Sequence, residues 1–251
     1  MASLFSDDKI LILGASSDTG LELARQLRKD GVEAGLISRP GERFERVKSE
    51  TGFPSAKVES IAHAEIEDAV KTLGQTLGPI TGAVNLLGTM ILKPAHLTTA
   101  EDWAETISVN LDSSFVFLKS VLRVADRRRL SMVFVSSAAA RTGIPNHEAI
   151  AAAKAGVEGL ALSAAATYAS RGYRFNVVAP GLVKTKLTDA MRANEQSLKA
   201  SQEMHPLRRL GEAGDVAAAI RWLLGSDSEW VTGQVIGVDG GLARLRTRVK
   251  V

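Results

Sequence analysis

The segment Gly14-Ala15-Ser16-Ser17-Asp18-Thr19-Gly20 has the make-up of a phosphate cradle. A phosphate needs close approach of the backbone and free N–H groups. Glycine and small polar residues supply both at the start of a helix. Gly14, Ser16, Ser17, Thr19 and Gly20 are the candidate contacts. Further along, Ser38-Arg39 closes a second apolar run. A carboxylate there would bind the ribose 2′-hydroxyl of NAD, and none is present. A guanidinium at Arg39 pairs instead with a 2′-phosphate, which favours NADP(H) over NAD(H). His147 is a separate candidate for acid–base work, since an imidazole titrates at about 6.5.

Asp18 sits awkwardly among these groups. A carboxylate beside a pyrophosphate repels it. Asp is also a good helix N-cap, and Thr19 and Glu22 have capping-box spacing. The cap reading turns the carboxylate away from the phosphates. The competing reading is weakened nucleotide binding.

The elements that would carry these residues follow from hydrophobic spacing. Residues 10–13 form an apolar run of the kind found in buried parallel strands. Leu21, Leu23, Ala24 and Leu27 then recur at helical spacing, and residues 32–37 form a second strand, giving a βαβ opening. Residues 83–87, 132–135, 175–178 and 234–238 read as further strands. Residues 101–123, 150–170 and 215–224 read as helices. The alternation predicts an α/β chain of one domain over residues 1–251: a Rossmann fold whose doubly wound parallel sheet carries helices on both faces. Residues 184–206 are polar and patternless. They would lie at the carboxyl edge of the sheet, as a lid or as an ordinary surface excursion.

Composition narrows the function classes. Apolar residues make up 45% of the 251, enough for a large core, and 24% charged residues is ordinary for a soluble chain. The net charge of +3 gathers in Arg127-Arg128-Arg129 and in Arg244, Arg246, Arg248 and Lys250. Neither cluster is interleaved with aromatics, so nucleic acid is not an expected partner. There is no cysteine, which excludes disulfides and thiolate chemistry. Four scattered histidines give no metal-ligand spacing, so no metal is expected. The first nine residues lack a basic stretch followed by an apolar run, and no window reads as long enough to span a membrane. The expectation is a soluble cytoplasmic protein without a membrane partner.

The run Ser136-Ser137-Ala138-Ala139-Ala140-Arg141-Thr142-Gly143-Ile144-Pro145-Asn146-His147-Glu148-Ala149-Ile150-Ala151-Ala152-Ala153-Lys154 resembles the active-site segment of the short-chain dehydrogenase/reductase family. Asn110, the segment Asn85-Leu86-Leu87-Gly88, and Pro180-Gly181-Leu182-Val183-Lys184-Thr185 resemble further family signatures, as do residues 206–211 and 231–241. The resemblance implies roles. Ser137 would hydrogen-bond the substrate oxygen, Asn110 would support a water relay, and Lys154 would hold the ribose. Asn85 and Gly88 would line the cofactor site, and Pro180, Gly181, Val183 and Thr185 would hold the nicotinamide carboxamide. Three positions depart from the pattern: Asp18 for glycine, His63 for an adenine-contacting Asp, and Ile150 for the tyrosine that donates the proton. An isoleucine donates nothing. Substitute donors would be His147, Glu148, or a water held by Ser137, Asn110 and Lys154. Tyr168 lies too far along its helix to serve.

Three functions stay open. One is an NADPH-linked reductase of a small carbonyl substrate with a rerouted proton path. Another is a non-catalytic nucleotide-binding subunit that assembles with an active paralogue. The third is a non-redox isomerase or cyclase. The resemblance also implies a homodimer or homotetramer through helices 101–123 and 150–170, the second rich in small residues.

Overall fold

Ile10, Leu11, Ile12 and Leu13 are all buried, which explains why the first strand reads as an unbroken apolar run. Successive side chains of a strand point to opposite faces. Leu11 and Leu13 enter one hydrophobic cluster, and Ile10 and Ile12 enter another on the far side of the sheet. The computed structural model describes residues 7–246, so residues 1–6, Arg248 and Lys250 lie outside the described residues.

The strands are β1 (Lys9–Leu13), β2 (Glu33–Ser38), β3 (Ser55–Lys57), β4 (Gly82–Asn85), β5 (Leu130–Val135), β6 (Tyr173–Pro180), β7 (Val183–Lys184), β8 (Gly211–Glu212) and β9 (Val235–Val238). The helices are α1 (Asp18–Lys29), α2 (Glu42–Thr51), α3 (His63–Leu77), α4 (Ala100–Ile107), α5 (Ser113–Val124), α6 (Glu148–Tyr168), α7 (Asp189–Arg192), α8 (Glu195–Met204) and α9 (Ala213–Leu224). Among the described residues, seven strands form one sheet in the order β3-β2-β1-β4-β5-β6-β9, and β7 pairs with β8 apart from it. Every pairing is parallel. The expected doubly wound α/β sheet is what the chain forms. Strand order reverses between β1 and β4, which opens a crevice beyond their carboxyl ends.

The two faces are covered by different helices. Val70 and Leu73 of α3, Phe117 and Val121 of α5, and Val157 and Ala161 of α6 pack on one side. Leu23 and Leu27 of α1 and Val216 and Ile220 of α9 pack on the other. Each fully buried Leu or Ile contributes about 2 kcal/mol relative to exposure.

Several expectations change. The helix expected over 101–123 is broken into α4 and α5 by a π-helical turn, Ser108–Asp112. The extra residue of such a turn re-aims the side chains around it. The strand expected over 83–87 stops at Asn85, because Asn85 Oδ1 accepts the Leu87 N–H and bends the chain away. Residues 184–206 hold β7's end, α7 and α8. Finally, Glu148–Arg171 is long and apolar enough to cross a membrane by length and composition, contrary to the expectation that no stretch was. Its hydropathy comes from alanines. One face, including Ala153, Val157, Ala161 and Ala165, packs on the sheet.

Candidate active site

The cradle is built by two glycines that no other residue could replace. Gly14 has φ +83°, and a Cβ on it would lie 2.9 Å from the Leu86 carbonyl carbon. A Cβ on Gly20 would lie 2.7 Å from the Ala15 carbonyl oxygen, so α1 can press against the loop only there. Ser17 is the N-cap of α1, its Oγ accepting the Gly20 N–H at 3.0 Å. Asp18 is therefore not the cap, and no Thr19–Glu22 capping box forms. The Asp18 carboxylate instead pairs with Arg43 and accepts the Lys186 N–H. The first-turn N–H groups of Asp18 and Thr19 have no helical acceptor and stand open to an anion.

At the end of β2, the Ser38 hydroxyl is buried against Ser16 at 2.5 Å. Arg39 is exposed beside it. Ser38 thus braces the loop, and Arg39 is the open cation. His63 is exposed on the first turn of α3, whereas the residues that directly follow β3 are Val58 and Glu59. The position at the strand end belongs to that pair.

Asn85 uses its whole amide on the protein. Nδ2 donates to Ser113 and Ser114 Oγ at 3.1 Å each, and Oδ1 takes the Leu87 N–H. It shapes the turn leading to Gly88. Pro180 ends β6 and Gly181 follows it, the Gly181 N–H donating to Val238 O. Val183 is buried in the core, so only its backbone can face a ligand. The Thr185 hydroxyl stays near Thr188 Oγ1. His205 was missed from sequence. Its Nδ1 donates to Ser201 O at 2.6 Å, and its Nε2 accepts the Leu182 N–H at 3.1 Å. The ring lies where a Cβ on Gly181 would stand, 2.6 Å from Nε2. The only signal for it was its place just before Pro206 in the C-terminal signature.

The polar centre lies between the π turn and α6. Asn110 is fully buried, and its Nδ2 donates to Thr106 O at 2.9 Å and Thr89 O at 3.2 Å. Its Oδ1 is buried with no partner. Lys154 is 7% exposed, with Nζ donating to Val135 O at 2.9 Å. Burial brings its ammonium down to about 8. Ile150 lies one turn earlier on the same face of α6 and is buried. Ser137 Oγ accepts the Ala139 N–H at 3.1 Å. On either side of Ser137, Ser136 and Arg141 both bond to Glu158 of α6. His147 sits just before α6, Nδ1 bonded to Pro145 O at 2.7 Å, and Glu148 is exposed on the first turn. Tyr168 packs among Tyr173 and Phe175, away from this centre, as expected.

A glycine cradle at a helix N-terminus, in the crevice of a parallel sheet, beside a buried lysine and an orphaned amide oxygen, is the layout of a Rossmann-type dinucleotide crevice. The residues fit that ligand. A family model described as enoyl-(acyl carrier protein) reductase matches residues 14–243. The chain is 34% identical over 232 residues to the inactive 2-(S)-hydroxypropyl-CoM dehydrogenase 2 of Xanthobacter autotrophicus, covering 89% of this chain and 100% of that one. It is 31% identical over 252 residues to levodione reductase of Leifsonia aquatica, covering 94% of each. The crystal structure of levodione reductase matches with a TM-score of 0.87 at 30% identity, over 95% of this chain and 98% of that one. A short-chain type dehydrogenase/reductase from Mycobacterium ulcerans matches at TM-score 0.91 and 27% identity, over 96% and 91%. The chain belongs to the short-chain dehydrogenase/reductase family of oxidoreductases.

Proposed function

We propose that this protein is an NADP(H)-dependent reductase of a small carbonyl compound, with Ile150 in the place of the family's tyrosine. The observation that carries the reading is the convergence of Asn110 Oδ1 and Lys154 Nζ on Gly88, at the crevice that the cradle borders. A buried unpaired acceptor and a buried amine cost stability unless a ligand or water completes them.

Gly14, Ser16, Ser17, Thr19 and Gly20 hold the pyrophosphate, Arg39 pairs with the 2′-phosphate, and Val58 and Glu59 border the base. Lys154 holds the ribose hydroxyls, and the backbone of 180–185 holds the carboxamide. When bound, the nucleotide supplies the hydride. Ser137 donates its hydroxyl to the substrate carbonyl oxygen. A water held by Asn110 and Lys154, or the Nε2 of His147, brings the proton. The test is titration with NADPH and NADH, followed by NADPH oxidation against a panel of carbonyl compounds. NADPH-selective binding with turnover abolished in Lys154→Met supports the reading. If neither nucleotide binds, the reading is overturned.

A second reading is a nucleotide-binding subunit without catalysis. Ile150 favours it, as does the likeness to a relative whose name records it as inactive. Either way, assembly with a second copy or an active paralogue would run through α4, α5 and α6, where Trp103, Phe115 and Leu162 are exposed. The oligomer size on native mass spectrometry, and the identity of any co-purifying chain, separate the two partners.

A further inference from the structure

Asp18 stands where the family pattern carries glycine, and its carboxylate is fully engaged. Oδ2 accepts the Lys186 N–H at 2.8 Å, across 168 residues of sequence. Oδ1 meets Arg43 Nη2 at 2.5 Å, and Arg43 Nε donates to Ser16 O at 3.0 Å. One guanidinium therefore grips the cradle at two points and neutralises the acid within it. Ser17 already caps α1, so this carboxylate is free for another task.

The bond to Lys186 holds one specific peptide. Its carbonyl, on Thr185, accepts from Thr188 N–H at 3.0 Å and from Arg192 Nη2 at 3.3 Å. Its N–H is held by Asp18. The unit that carries Thr185 is thus fixed from both sides, by the polar excursion on one and by the phosphate loop on the other. A glycine at position 18 could make neither contact.

We infer that Asp18 is a positioning residue of the dinucleotide site, fastening Thr185 and the start of the 184–206 segment to the phosphate loop. The inference rests on the NADP(H) reading for its role in binding, though not for the tether itself. Both partners are partly exposed, 32% for Asp18 and 40% for Arg43, so the ion pair is screened and the effect lies in geometry. The charge-assisted bond to a backbone N–H is the stronger element.

The experiment compares wild type, Asp18→Ala and Asp18→Asn by NADPH titration, and by limited trypsin digestion without nucleotide. Asp18→Ala is expected to weaken NADPH about tenfold, the loss of one charge-assisted bond, and to speed cleavage after Lys186 and Arg192. Asp18→Asn keeps an acceptor oxygen and is expected to restore most of both. Unchanged cleavage in Asp18→Ala overturns the tether. Equal or tighter NADPH binding in Asp18→Ala overturns the positioning role and marks the carboxylate as merely repulsive. If wild type binds no nucleotide, the NADP(H) reading falls, the positioning role falls with it, and the digestion still decides the tether.

Discussion

Asn110 Oδ1 and Lys154 Nζ converge on Gly88: a methyl group there would lie 3.4 Å from the first and 3.9 Å from the second. The π turn aims the amide, since both Nδ2 hydrogens are taken by Thr106 and Thr89 carbonyls. An unpaired buried acceptor costs about 1–3 kcal/mol. Both contacts of the added methyl are ordinary packing distances. Gly88→Ala should therefore fold with a stability change within about 1 kcal/mol, yet crowd out whatever bridges the two polar atoms. Thermal melts alongside nucleotide titration check this. A variant that melts and binds like wild type would show that nothing needs the space.

Ile150 is buried one turn from Lys154 on the same face of α6. A tyrosine at that position would extend past the isoleucine toward the polar centre. If the chain is a reductase scaffold missing one donor, Ile150→Tyr should raise turnover by about 10²–10⁴ on carbonyls that the wild type reduces slowly. Steady-state NADPH oxidation measures it. No gain, with nucleotide binding intact, would favour the non-catalytic subunit.

Lys154 carries a pH signature. Its folded-state value, about 8, lies below the ordinary 10.5 of a free lysine. The folded state therefore releases its proton more readily than the unfolded chain. The penalty for burying the charge is full below about pH 8 and is relieved as pH rises from there toward 10.5, so the lysine's contribution to stability improves with pH over that window. Lys154→Met should be more stable than wild type at pH 7, by up to about 3 kcal/mol, and the gap should close by pH 10 to 11. Denaturant melts at a series of pH values follow it. A gap independent of pH would place the effect in packing instead.

Arg39 is the open cation at the end of β2. Arg39→Ala should weaken NADPH about tenfold or more while leaving NADH nearly unchanged, because only the former carries a 2′-phosphate. Paired titrations give the ratio. Equal losses for both would move Arg39 out of the phosphate's reach.

Much of the site could be read from the chain. The cradle is local: Gly14 and Gly20 are required by a turn and a helix start within seven residues, and short-range geometry shows in sequence. Lys154 and Ile150 likewise share one helix, so their relation follows from a four-residue step. Asn85 and Ser38 were legible as site positions but not as braces, because their hydrogen bonds run to Ser113, Ser114 and Ser16 on other elements.

Sequence alone determined the alternation of strands and helices and the covering of the sheet on both faces. Continuous apolar runs demand strands covered on both faces, and amphipathic spacing between them supplies the helices that do the covering. The tertiary structure decided the contacts made across long stretches of chain. It set the π turn that aims Asn110, the seating of His205 in the space beside Gly181, and the engagement of Asp18 with Arg43 and Lys186. Each depends on where distant segments meet, and polar groups find partners by position in space, which leaves no periodic mark along the chain.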